Sequence, residues 1–282
     1  MAAGCFNRNC LMGCLLLLMA CGLTAADEFP ITLEGALVQG GLLIGQAPEA
    51  SRLLLNGEAL PVTQDGYFLI GFARDQVEPS QLTLVQGQQR WNKQLMPQPR
   101  EFNIQRIDGL PQEKVTPAPE SMQRIRDEAA QTRAARERRD DRDDFKQDFI
   151  WPVTGPITGV YGSQRILNGE PRNPHWGIDI AAPVGTPVLA PAAGIITLVH
   201  DDMYFSGGTL LLDHGLGLSS AFLHLERILV EPGQRVEQGE VIAEVGATGR
   251  VTGAHLDWRM NLGAVRVDPA LLVPPMMPAG QQ

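Results

Sequence analysis

The sequence predicts a mostly β protein: a small β-sandwich-like domain in front, a charged helical linker, and an all-β domain behind it. Three observations carry this. In the front third, Asn56-Gly57 and Asp65-Gly66 lie beside the apolar stretches Leu53-Leu54-Leu55 and Tyr67-Phe68-Leu69-Ile70, a hairpin pattern. From Ser121 to Asp148, eight basic and eight acidic residues are interspersed with alanines and few β-branched residues, which favours helix. From Trp151 on, glycine, proline and valine rise and short apolar runs alternate with turns.

In chain order, residues 1–26 have the layout of a secretory signal peptide. Arg8 supplies the early charge, Leu11 to Ala20 the apolar core, and Thr24-Ala25-Ala26 the small residues before a cut. An apolar core of about ten residues is roughly half a membrane span, so no transmembrane span is expected. All four cysteines (Cys5, Cys10, Cys14 and Cys21) lie in this leader. A mature chain from Asp27 has no disulfide and no cysteine nucleophile. Leu18-Met19-Ala20-Cys21 offers an alternative, a lipoprotein box that leaves a lipidated Cys21 on an outer-membrane lipoprotein. On either reading the protein is exported to the periplasm or cell envelope.

Removing the leader takes away Arg8 and no acid, leaving 22 basic and 32 acidic residues, net −10. An acidic chain is a poor match to phosphate backbones, so nucleic acid is excluded as a partner. Residues 27–110 form the small β domain, with no titratable cluster; a spacer or wall-binding module is the simplest reading. Residues 111–148 are a proline-bearing break (Pro111 to Pro119) and then the charged helix, expected as a solvated connector held by i,i+4 pairs, or else as an arm for an envelope regulator or a cover over a cleft. Residues 149–275 form the all-β domain, with strands expected at 188–190, 194–199, 208–213 and 241–245; 276–282 are a tail.

The chemistry concentrates in this last domain. Three of five histidines occur in His175-Trp176-Gly177-Ile178-Asp179, Phe222-Leu223-His224 and His255-Leu256-Asp257. In a chain without usable thiolates, imidazole and carboxylate are the natural zinc ligands. Histidines beyond a three-ligand set can move protons. His200 has no motif around it, and His214, in the turn Asp213-His214-Gly215, fits a structural role. Arg165 is a candidate substrate contact, with a surface ion pair as the alternative. Trp176 and Trp258 neighbour the site as cleft walls or as core.

The order and spacing of these segments resemble the lysostaphin/LytM-type peptidases, zinc endopeptidases that cut peptide links in peptidoglycan. The matching residues are His175 to Pro183, Gly185-Thr186-Pro187-Val188, Asp213 to Gly217, His224-Leu225, Gly233 to Gly239 and Gly246 to Leu256. The likeness runs from about Trp151 to Pro269 and implies a barrel-sandwich-like domain, one Zn²⁺, and peptidoglycan peptide stems as substrate. It makes His175 and Asp179 the first two metal ligands and His224 and His255 the catalytic, non-ligating histidines. The family's third ligand is a histidine; here the position is Asp257.

An aspartate oxygen and a histidine Nδ1 both lie two bonds beyond Cβ, and strand alternation points residues 255 and 257 to one face, so Asp257 fits as the third ligand. One histidine and two carboxylates neutralise Zn²⁺, where two histidines and one carboxylate leave it positive. A softened Lewis acid is therefore expected, with Asp257→His keeping or raising activity. The alternative from another class is a zinc-free degenerate domain that activates or scaffolds other wall hydrolases. A biotinyl or lipoyl carrier is excluded because Lys93, Lys114 and Lys146 all precede the domain. A serine hydrolase lacks its Gly-x-Ser-x-Gly elbow.

Overall fold

The computed structural model describes residues 29–107, 119–167 and 169–276. The signal peptide with Cys21, most of the proline break and nearly all of the tail lie outside them. Among the described residues no helix is long and apolar enough to cross a membrane.

The front strands are β1 (Leu33–Gly35), β2 (Leu42–Gln46), β3 (Ser51–Leu55), β4 (Glu58–Ala59), β5 (Tyr67–Gly71), β6 (Ser80–Gln86), β7 (Gln89–Leu95) and β8 (Ile104–Ile107). They make a three-stranded sheet, β1-β2-β5, and a four-stranded sheet, β4-β3-β6-β7. The β3–β4 hairpin turns on Asn56 (φ 53°) and Gly57 (φ 87°), the paired positive φ of a two-residue hairpin turn.

One helix, α1 (Met122–Ala135), follows, and then β9 (Ile157–Gly159), β10 (Gln164–Leu167), β11 (Glu170–Pro171), β12 (Gly177–Ala181), β13 (Pro187–Leu189), β14 (Gly194–Met203), β15 (Gly207–Asp213), β16 (Leu218–Ile228), β17 (Arg235–Val236), β18 (Val241–Val245), β19 (His255–Leu262) and β20 (Val265–Val267). The large sheet runs β17-β14-β15-β16-β19-β12-β9, with β18 joining β16 to β13 and β20 flanking β19. One face carries the main core: Ile178, Ile180, Leu210, Leu212, Phe222, Leu256 and Trp258 are buried together.

Two expectations change here. The front region was expected as a separate small domain, yet the described chain from Ile31 on forms one compact unit. Leu42 and Leu69 enter the same core as Ile178 and Trp258. Arg100 pairs with the buried Asp268 at 2.7 Å, and Arg74 donates to the Gly162 carbonyl. The expected helix over 121–148 stops at Ala135. Beyond it, alternating charges find partners elsewhere: Arg142 pairs with buried Asp213, and Asp144 with Arg235. Phe145 and Phe149 are buried in the core, each contributing about 2–3 kcal/mol of apolar burial. Most of α1 is exposed and Arg124 pairs with Glu128 at i,i+4, as a solvated helix should, but one side docks on the sheet. Glu128 is buried and accepts from the Tyr204 N–H at 2.9 Å. Ala135 packs on Leu211, Ala221 and Leu223, so the helix covers the sheet face opposite the core.

His214 has the structural role its motif suggested. It is fully buried, with Nδ1 donating to the Ala193 carbonyl and Nε2 accepting from Ser220 Oγ, both at 2.8 Å. Burial pushes its pKa down to about 4, against about 6.5 in an unfolded chain. Between those values the unfolded chain binds the proton and the folded one does not, so stability falls as pH drops from 6.5 to 4. Denaturant unfolding at pH 7 and pH 4 should find wild type losing about 3 kcal/mol more than His214→Gln.

Candidate metal centre

The large sheet sets out the site by register. Asp179 on β12 lies directly opposite Asp257 on β19, and Leu223 on β16 lies on the other side of Asp257. Alternation along β19 then sends His255, Asp257, Arg259 and Asn261 to the face away from the core, while Leu256, Trp258 and Met260 go inward. His175, just before β12, anchors its backbone to Ser163 (N–H to carbonyl, 2.7 Å), and its carbonyl accepts from Gly162.

His175 Nε2 lies 3.0 Å from Asp179 Oδ1 and 3.6 Å from Asp257 Oδ2, and one ligand atom from each of the three residues falls within 4.8 Å of the others. Zinc bonds of about 2.0–2.1 Å in a tetrahedron give ligand separations of about 3.3 Å, which those two distances bracket. His175 Nε2 and Asp179 Oδ1 face only each other and Asp257 in the buried centre of the cluster, where a charge without such partners is costly. Burial opposes charge on His175, but the Asp179 and Asp257 carboxylates raise its pKa to about 10. The trio is thus built to hold positive charge at its centre, and a divalent cation fits in place of that proton.

Two glycines make room. A Cβ at Gly159 would stand 2.2 Å from Asp179 Oδ2, and one at Gly177 would stand 2.7 Å from Asp257 Oδ1 and 2.6 Å from Arg259 Cγ. Any side chain at either position displaces a carboxylate.

His224 sits where β16 changes partners, pairing with β19 up to Leu223 and with β18 from Leu225. Its φ of 67° is a left-handed conformation that a non-glycine residue rarely adopts and that clusters at functional sites. Its N–H is tied to the Ser206 carbonyl, and its Nδ1 donates to the Thr248 carbonyl at 2.9 Å. His255 is oriented the same way, with Nδ1 donating to the Gly253 carbonyl at 2.9 Å and Nε2 lying 3.7 Å from Asp179 Oδ1. A carbonyl only accepts, so in both rings Nδ1 carries the hydrogen and Nε2 is left for chemistry. The two rings lie 4.9 Å apart. Burial holds His224 below the usual histidine range, against the upward pull of its Thr248 hydrogen bond.

No motif or spacing pointed to Arg259. Its Nε lies 3.0 Å from both oxygens of Asp257. Burial would push the Asp257 carboxyl up; Arg259 and His175 instead hold it well below the usual carboxylate range. Trp176 packs edge-on against Tyr161 at 6.1 Å and carries the Arg266 guanidinium over its ring at 4.4 Å. Trp258 is core, edge-on to Trp151. Arg165 is exposed on β10, which pairs with β8 and β11, and is not brought to the cluster. His200 accepts the Asp202 N–H at the rim of β14.

Known proteins resemble this chain in sequence and in fold. Residues 173–269 match Peptidase family M23. A solved structure from Pseudomonas aeruginosa assigned to peptidase M23 is 30% identical, with a TM-score of 0.65 over 84% of this chain and 94% of that one. Peptidoglycan DD-endopeptidase ShyA of Vibrio cholerae is 40% identical over 87 residues, 31% of this chain and 20% of that protein. Cell division protein DipM of Caulobacter vibrioides is 36% identical over 135 residues, 46% of this chain and 21% of that protein. The chain thus spans about a fifth of the length of these two curated relatives. With the P. aeruginosa likeness covering most of both chains, the chain belongs to peptidase family M23.

Proposed function

We propose that the protein is an exported zinc endopeptidase that hydrolyses peptide crosslinks of peptidoglycan. The observation that carries this is the convergence of His175, Asp179 and Asp257 at metal-ligand spacing, with an imidazole nitrogen facing two carboxylates. The likeness to a peptidoglycan DD-endopeptidase supports the substrate. Zinc bound there supplies a Lewis acid that polarises the scissile carbonyl and acidifies water. His224, neutral because it is buried and with Nε2 unprotonated, accepts the proton of the attacking water. His224 then returns that proton to the departing amine, and His255, fixed by Gly253 beside Asp179, donates to the oxyanion from Nε2 once that nitrogen has taken a proton from solvent.

Arg259 alters the charge balance expected from the ligand set alone. Two carboxylates cancel the charge of Zn²⁺, but the guanidinium on Asp257 returns one positive charge. The centre then carries the same net charge as one with two histidines and one carboxylate.

Purified wall sacculi separate this reading from the zinc-free activator. The zinc-loaded protein should release uncrosslinked peptides from sacculi, a chelator should stop the release, and added zinc should restore it. No bound zinc and no release, together with stimulation of a second hydrolase, would contradict the proposal and favour the zinc-free activator.

A further inference from the structure

Beside the metal cluster, α1 and the sheet enclose a cavity of about 880 Å³. Its wall is strongly cationic: Arg133, Arg136, Arg139, Arg250, Arg259 and Arg266 line it, against two carboxylates, Glu128 and Glu137. Glu128 is already engaged by Arg124 at 2.6 Å and by the Tyr204 N–H. Arg259 has Asp257. Arg136 and Arg266 are different. Arg136 Nε is buried without a hydrogen-bond partner, and the charges that act on Arg136 are those of Arg259 and Arg266. Arg266 is held over the Trp176 ring and likewise feels Arg259. Burial and this mutual repulsion depress both guanidinium pKa values, that of Arg136 to about 10. Arg136 is half-buried under the helix and Arg266 is exposed, so the two like charges meet where an incoming anion can reach both and relieve their repulsion.

The register sets the distance between this cluster and the candidate metal ligands. Arg266 on β20 is opposite Asn261, four residues along β19 from Asp257 on the same face, or about 13 Å of strand. Long arginine side chains reach back over part of that distance. Arg136 approaches from the end of α1, opposite the sheet.

We propose that Arg136 and Arg266, with Arg259 behind them, form a subsite for a carboxylate of the peptide substrate, borne one or two residues from the scissile amide. The inference rests on the peptidase reading above and narrows its substrate to an acidic peptide. It makes α1 a wall of the substrate cleft, where the sequence offered the helix as a cover. Guanidinium forks match carboxylates in two-point contacts, and Trp176 pre-orients one of them.

The test is calorimetric binding of a peptidoglycan stem tetrapeptide, and of the same peptide with its carboxyl groups amidated, to the zinc-stripped full chain. Wild type should bind the acid form about tenfold more tightly than the amide. Arg136→Gln and Arg266→Gln should each cut that preference to threefold or less. Their melting temperatures should hold or rise, because each removes a like charge from a crowded cluster; a purely structural arginine would lower it. Equal affinity of wild type for the two peptides, or a preference intact in both variants, overturns the subsite and leaves the peptidase reading standing. Binding of neither form contradicts the peptidoglycan reading, and the subsite falls with it.

Discussion

Asp257→Ala is expected to bring turnover on crosslinked peptide to background and to destabilise the chain through a second, separable defect. Two ligands, His175 and Asp179, do not make the three-protein-ligand set of a catalytic zinc site. The second defect belongs to Arg259, whose Nε and Nη2 both bond to Asp257. Loss of the carboxylate strands a partly buried cation beside Arg136 and Arg266. Removing one partner of a fully buried ion pair costs about 3–5 kcal/mol. The Arg259 side chain keeps 31% of its exposure, so about 1–3 kcal/mol is expected after solvent screening. His175→Ala should lose turnover equally, while adding Arg259→Gln to Asp257→Ala should recover stability, and thermal unfolding of Asp257→Ala and that double variant side by side checks it. Equal melting temperatures would mean that Arg259 does not depend on Asp257. The same pair revises the sequence expectation for Asp257→His: the imidazole supplies a ligand but leaves Arg259 unpaired. Activity should therefore recover only when Arg259 is made neutral as well.

His224→Asn is expected to lower turnover by about 10²–10⁴-fold with zinc still bound at wild-type stoichiometry, the range for loss of a positioned acid–base group. Asparagine is chosen because residue 224 has a φ of 67°, which asparagine tolerates better than alanine. The variant therefore tests the ring and not the backbone. Steady-state kinetics with metal analysis on the same sample is the check. Turnover within threefold of wild type would remove His224 from the chemistry, and loss of zinc would make it a ligand.

Much of this was legible in the sequence because it is local. The Asn56-Gly57 hairpin turn is written in two residues. The strand at Val241–Val245 is a short apolar run between turns. His175, Asp179 and Asp257 stand in short segments of recognisable spacing, and the alternation that puts residues 255 and 257 on one face follows from the strand alone. What the sequence hid depends on pairing across distance. Arg259 reads as an ordinary strand arginine until the register puts it over Gly177 and beside Asp257. The run from Arg136 to Asp148 looks helical by composition, yet Arg142 and Asp144 find Asp213 and Arg235 instead. The front strands read as a separate domain because nothing local reveals that Leu42 and Leu69 share a core with Trp258. The left-handed conformation at His224 arises from β16 changing partners there, which no local pattern encodes.

The measurement that reaches furthest is the zinc content of the purified protein, wild type beside Asp257→Ala, after exposure to zinc and gel filtration. One zinc per chain in wild type and none in the variant is the predicted result. Zinc absent from wild type, or retained at one per chain in Asp257→Ala, would contradict the His175–Asp179–Asp257 centre.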